Sequence, residues 1–179
     1  MTMGQTQIDP EPIPISDFVR YHEAGHAVAA EKTGLGLVDE PCAIVIVNDE
    51  TAGANVNESG KGSSAFWSQL RADIKLAGPA ADCIATNVEY SPAELRGNAR
   101  YAEDFKQAGI ELGLGPMAHC EDLAGLIETC YRAHATVRDN WKAICAIAEG
   151  LRTERCMKRA RVIELIKGAE ENAPSASGG

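Results

Sequence analysis

The stretch Tyr21-His22-Glu23-Ala24-Gly25-His26 sets two imidazoles four residues apart, with a carboxylate beside the first. In a helix of 3.6 residues per turn, His22 and His26 point the same way and can grip one metal ion through their ring nitrogens. Glu23 is turned away from that line. It is placed to take a proton from the metal's water rather than to bind the metal. The spacing H-E-x-x-H therefore points to zinc and to hydrolysis, with Glu23 as the catalytic base. Zinc lowers the pKa of its water toward ~7 and polarises a carbonyl.

An amphipathic helix carrying a chance motif is the bland alternative. Against it, two of the chain's four histidines stand here. Gly25 costs a helix roughly 1 kcal/mol relative to alanine, so it is more than a filler and leaves room for something to approach.

A tetrahedral site needs a further ligand. The extended pattern H-E-x-x-H-x-x-G-x-x-H is excluded, because Ala29 and Lys32 stand where it needs glycine and histidine. His119, Cys120, Cys130 and His134 match no standard zinc spacing and read as helix-face or core residues. Carboxylates remain, notably Asp82, Glu103 and Asp104.

The elements that must position these residues are mostly helical. A Pro-rich arm, 1–15, precedes a helix that begins near Ser16, carries the histidines on one face with Phe18, and stops at Gly34. The apolar run 42–47 reads as a buried strand and 51–57 as an edge strand. A helix over 65–78 precedes Pro79, which starts a second, offset helix over 79–87. Residues 91–98 read as a connector. Asn98 caps a helix that Gly113 ends, 122–151 has helical periodicity, and a last helix covers 159–168. Residues 169–179 have the composition of a disordered tail. The fold class is mostly α (α+β) with a small β element, in one domain over 16–168.

Composition removes several function classes. A net charge of -9 and a pI near 4.9 leave no basic patch for nucleic acid. The one basic stretch, 152–161, reads as a solvated helix face. Runs such as 42–47 are too short for membrane insertion, and the N-terminus lacks a basic start and an apolar stretch. Six cysteines without a C-x-x-C pair predict free thiols and a cytoplasmic location. The segment Glu58-Ser59-Gly60-Lys61-Gly62-Ser63-Ser64 fails the phosphate-loop pattern, with Asn55 at the first glycine position and Gly62 after the lysine.

The segment YHEAGHAVAA (21–30) resembles the zinc helix in the peptidase domain of FtsH-type ATP-dependent metalloproteases. LAGPAADCIAT (76–86) resembles that family's Leu-Ala-Gly-Arg-Ala-Ala-Glu segment, with Pro79 in place of the arginine. GNARYAEDFKQA (97–108) is similar to its Asn-Asp-Leu-x-x-Ala-Thr segment, whose aspartate is the third zinc ligand. Residues 141–166 resemble its closing helices. The likeness spans roughly 16–168 in the family's order. It implies a helical metallopeptidase fold and zinc held by His22, His26 and Asp104, with Glu103 the neighbouring register. It also implies cleavage of unfolded or extended polypeptides; an extended substrate could add a strand beside 51–57, which is otherwise an ordinary surface hairpin. FtsH-type enzymes join this domain to an ATPase and membrane helices, and neither is among these 179 residues. The implied module is thus freestanding, with room for self-association or a separate ATPase partner. The alternative is a catalytically silent zinc-binding or regulatory module that docks on such an ATPase; intact Glu23 favours catalysis. A metal hydrolase acting on a non-peptide bond would share the same chemistry.

Overall fold

The structure is a computed structural model that describes residues 17–48, 52–57, 64–114 and 123–171. The expected arm, most of the loop at 58–64, His119 and Cys120, and residues 172–179 lie outside the described residues.

Helix α1 spans Asp17–Lys32. Its small residues Ala24, Ala27, Val28 and Ala30 are buried, and the chain leaves it through Gly34, at the left-handed φ of +79° expected of a helix stop. Helix α2, Ala65–Thr86, is one helix and not the two expected. Pro79 removes the donor for the Lys75 carbonyl. Burial on two faces nevertheless keeps the helix whole: Ile74, Ala77 and Ala81 belong to one apolar cluster, Ala72, Leu76 and Cys83 to another. Asn87, at φ 55°, closes it by donating its N–H to the carbonyls of Cys83 and Ile84.

The expected connector is itself helical. Ser91 caps α3, Pro92–Gly97, by accepting from the Glu94 amide. Asn98 accepts from the Arg100 amide at 3.0 Å and opens a 3-10 turn, Ala99–Tyr101, which runs into α4, Ala102–Glu111. The periodic stretch after the undescribed residues forms two helices, α5 (Ala124–Asp139) and α6 (Trp141–Gly150), parted at Asn140. Helix α7, Arg159–Glu171, runs three residues into the stretch expected as tail.

Three short antiparallel strands complete the described fold. Strand β1, Ile44–Ile46, lies between β2, Ala52–Ala54, and β3, Cys156–Met157. Buried Ile44 faces both Ala54 and Met157. Strand β3 corrects the reading of 152–161 as one solvated helix face. Met157 is fully buried there, because alternation along a strand turns it inward while Cys156 faces out. The pairing also brings Cys42 to Cys156, Cα atoms 5.5 Å apart, as a disulfide. This corrects the expectation of free thiols throughout: the partners are 114 residues apart, a separation that no local spacing reveals. Cys83, Cys130 and Cys145 are free.

The larger apolar cluster joins α1, α2, α6, α7 and the sheet through Val28, Leu37, Ile46, Ile147 and Val162. The smaller joins α2 to α3, α4 and α5 through Leu76, Leu95, Phe105 and Leu126. Helix α2 is common to both, so whatever it shares with α1 and α4 is held from two sides. Among the described residues, no helix is long and apolar enough to cross a membrane.

Candidate metal centre

Close approach of α1 to α2 creates the site. A Cβ on Gly25 would lie 2.6 Å from the Ala77 carbonyl oxygen and 2.8 Å from the Ala81 Cβ. The room left by Gly25 is thus taken by α2. This brings the Ile74 carbonyl within 2.7 Å of His26 Nδ1, and the Asp82 carboxylate within 3.0 Å of His22 Nδ1. A carbonyl or carboxylate only accepts, so each Nδ1 carries a proton, and in the neutral imidazole each Nε2 keeps its lone pair. The two Nε2 atoms then face a common point, 3.1 Å apart.

Asp104 reaches that point from the first turn of α4. Its carboxylate oxygens lie 3.3 Å from His22 Nε2 and 3.6 Å from His26 Nε2. Ligand atoms of His22, His26 and Asp104 all fall within 4.8 Å of one another, the one such group among the described residues. Glu103, one residue away, instead turns to solvent and pairs with Lys106 and Gln107, which hold its carboxyl below the ordinary range. His134 is remote from the group, stacked on Tyr90 at 4.3 Å. Cys130 is buried, its carbonyl accepting from the Tyr90 hydroxyl.

Do these residues fit a metal? Two nitrogens and a carboxylate oxygen converging from two helices are a donor set suited to zinc. Gly78 supplies an independent sign. A Cβ there would sit 2.5 Å from His26 Nε2 and 2.7 Å from His22 Nε2. The bare glycine therefore leaves a cradle at the focus of both lone pairs. The residues present fit a metal ion held by His22, His26 and Asp104.

Asp82 has a place in the site that the sequence did not reveal. It was one candidate ligand among three carboxylates, but it touches the far nitrogen of His22 instead. At 1% exposure it is the most buried carboxylate of the site. A carboxylate behind a ligating imidazole fixes its tautomer and orientation. Tyr101 lies parallel to the His22 ring, planes 4° apart. Burial pushes its phenol up, and the Asp82 charge adds to the rise.

Electrostatics follow from the same contacts. Burial opposes a charged His22, but the hydrogen bonds and charges of Asp104 and Asp82 outweigh it and raise the imidazole to about 10. Burial works against ionised Asp104 too, yet the hydrogen bond to His22 and the histidine charges hold its carboxyl below the usual value.

Glu23 stands next to His22 on α1, 6% exposed, and its Oε2 has no hydrogen-bond partner among the described residues. A buried carboxylate oxygen without a partner costs free energy unless something else is to meet it. No family model matches the chain, and no curated protein sequence matches it.

Proposed function

We propose that this chain is a zinc-dependent metallopeptidase that hydrolyses peptide bonds of extended or unfolded polypeptides. The observation that carries the reading is the meeting of His22, His26 and Asp104 at the cradle over Gly78, with Glu23 next to His22 on α1 and its buried Oε2 without a hydrogen-bond partner among the described residues. His22 and His26 would hold zinc through Nε2, and Asp104 through a carboxylate oxygen. A bound zinc would supply Lewis acidity, drawing electrons from the scissile carbonyl and making a water acidic enough to ionise near neutral pH.

The chain's own residues do the rest. Glu23 accepts the proton of the attacking water and returns it to the departing amine nitrogen, so it leaves the reaction as it entered. Asp82 and the Ile74 carbonyl keep both imidazoles in the tautomer that the site needs. Strand β2 is an edge strand with β1 on one side, which suits an extended substrate that adds alongside it. The disulfide removes the free-thiol argument for a cytoplasmic location, so no compartment belongs to this proposal.

Glu23→Gln tests the proposal. Glutamine keeps size and hydrogen-bonding capacity but cannot act as the base. Zinc content should stay near one per chain, while cleavage of an unfolded casein should fall at least ~100-fold, the usual worth of a positioned base. Equal cleavage by wild type and variant, both zinc-loaded, would leave a zinc-binding module without this chemistry. Activity on an ester but not on any peptide would redirect the proposal to a non-peptide hydrolase.

A further inference from the structure

Behind the contact of Asp82 with His22 stand two further residues, Arg100 and Phe18, that the proposed mechanism does not use. Asp82 Oδ2 accepts from His22 Nδ1 at 3.0 Å and lies 3.7 Å from Arg100 Nε. Its Oδ1 has no hydrogen-bond partner among the described residues. The guanidinium carbon of Arg100 in turn sits 4.5 Å above the ring of Phe18. Phe18 is four residues before His22 on α1, and so on the same helix face. The contacts thus run from Phe18 to Arg100 in the 3-10 turn, to Asp82 on α2, and back to His22 on α1.

Each link has a physical reason. A carboxylate at 1% exposure is costly unless it is paired and hydrogen-bonded. The His22 hydrogen bond and the Arg100 charge both fall on Oδ2, and no hydrogen bond falls on Oδ1, so Oδ2 is the oxygen that faces the imidazole. Arg100 has a side chain 42% exposed, so it would swing freely without a seat. The Phe18 face supplies one through cation–π attraction. The Asn98 side chain holds the Arg100 amide, fixing the backbone of the turn from which the guanidinium extends. Four residues after Arg100, the same chain segment delivers Asp104.

We infer that Arg100 is a positioning residue for the metal centre: seated on Phe18, it braces the Asp82 carboxylate against His22 Nδ1, so that His22 Nε2 stays aimed at the cradle over Gly78. Arg100 touches neither metal nor substrate and acts through Asp82. The inference rests on the reading of His22, His26 and Asp104 as a zinc site.

The experiment is a zinc titration against a chromophoric chelator, on the full chain, in a double-mutant cycle. Arg100→Met keeps the aliphatic length and removes the donors and the charge. It should weaken zinc binding about tenfold, the lower end of what outer partners of a ligating histidine contribute. In an Asp82→Asn background the same change should do nearly nothing, because the route to His22 is already cut. Phe18→Ala, at an exposed position, should weaken zinc about threefold and add nothing to Arg100→Met. It gives a second cycle should Asp82→Asn not fold. Arg100→Lys, with a charge but no fork, should recover part of the loss. An Arg100→Met protein that binds zinc as tightly as wild type, or tighter, overturns the inference. So does a tenfold loss that persists undiminished in both cycles, since Arg100 would then act on the fold at large. If the wild type takes up no zinc, or His22→Ala keeps it, the metal reading itself fails and this inference with it. A wild type that binds zinc through His22, beside an inert Arg100, defeats the inference alone.

Discussion

Replacing Gly78 with alanine places a methyl group at the focus of the histidine pair. The added Cβ would lie 2.5 Å from His26 Nε2, 2.7 Å from His26 Cε1 and 2.7 Å from His22 Nε2. Ordinary contact begins near 3.4 Å, so the imidazoles would have to retreat by roughly 0.8 Å. Zinc tolerates ligand distances only within about 0.2 Å of ~2.0–2.1 Å, and the methyl itself fills the space. Zinc binding should therefore weaken by at least ~100-fold, or about 2.7 kcal/mol. The fold should survive, because alanine favours a helix interior over glycine by ~1 kcal/mol, which offsets part of an overpacking cost of ~1–3 kcal/mol. Zinc titration against a chelator measures the first effect; circular dichroism and the melting temperature of the metal-free protein measure the second. Gly125→Ala on α5 is the control, since its Cβ would meet nothing within 4 Å. A Gly78→Ala protein that binds zinc within threefold of wild type, still through His22 and His26, would refute the cradle.

The remaining expectations are shorter. Asp104→Ala should weaken zinc far more than Glu103→Ala, because Glu103 faces solvent; the opposite ranking in a zinc titration would overturn the register. In the metal-free protein His22 is raised to about 10, above its ordinary 6.5, so its stabilising contribution is fully present below pH ~6.5 and is lost as pH rises to about 10. Zinc competes with that proton, so apparent affinity should improve by up to ~10-fold per pH unit between pH 7 and 9, and a plateau from pH 7 upward would contradict the network. Cys42→Ser, or reduction, should lower stability by about 2–4 kcal/mol in thermal unfolding, since the bridge closes a separation of 114 residues, while zinc affinity holds. An unchanged melting temperature with reductant would count against the bridge.

Local rules made α1 and the start of the α4 region legible. Asn98 caps the turn as its side chain suggests, and Gly34 and Gly113 take the left-handed conformations that end helices. Pro79 misled, because the rule that proline breaks a helix weighs one missing hydrogen bond and not the burial on either side. Ala72, Ile74, Leu76, Ala77, Ala80, Ala81 and Cys83 are all buried, and this tertiary packing outweighs the local defect. Strand β3 is only two residues long and exists through its pairing with β1, so no period-two signal was available to find it.

The candidate site divides along the same line. His22, Glu23 and His26 announce themselves, because one helix sets their spacing and the chemistry needs that spacing. The partners that aim them are set by helix packing. Asp82 stood in the sequence only as one of three candidate ligands. What makes it the support of His22 is the absence of side chains elsewhere: Gly25 lets α2 come close enough for its polar groups to reach both imidazoles. Gly78 then keeps the shared focus open. A glycine's contribution is a contact that it does not make, and it becomes readable only when the opposing surface is in place. The sequence did carry a trace of it. Gly25 stands in a helix interior at a cost of roughly 1 kcal/mol, and that cost is recovered in the approach of α2, without which the histidines would have no oriented tautomer and the cradle no floor.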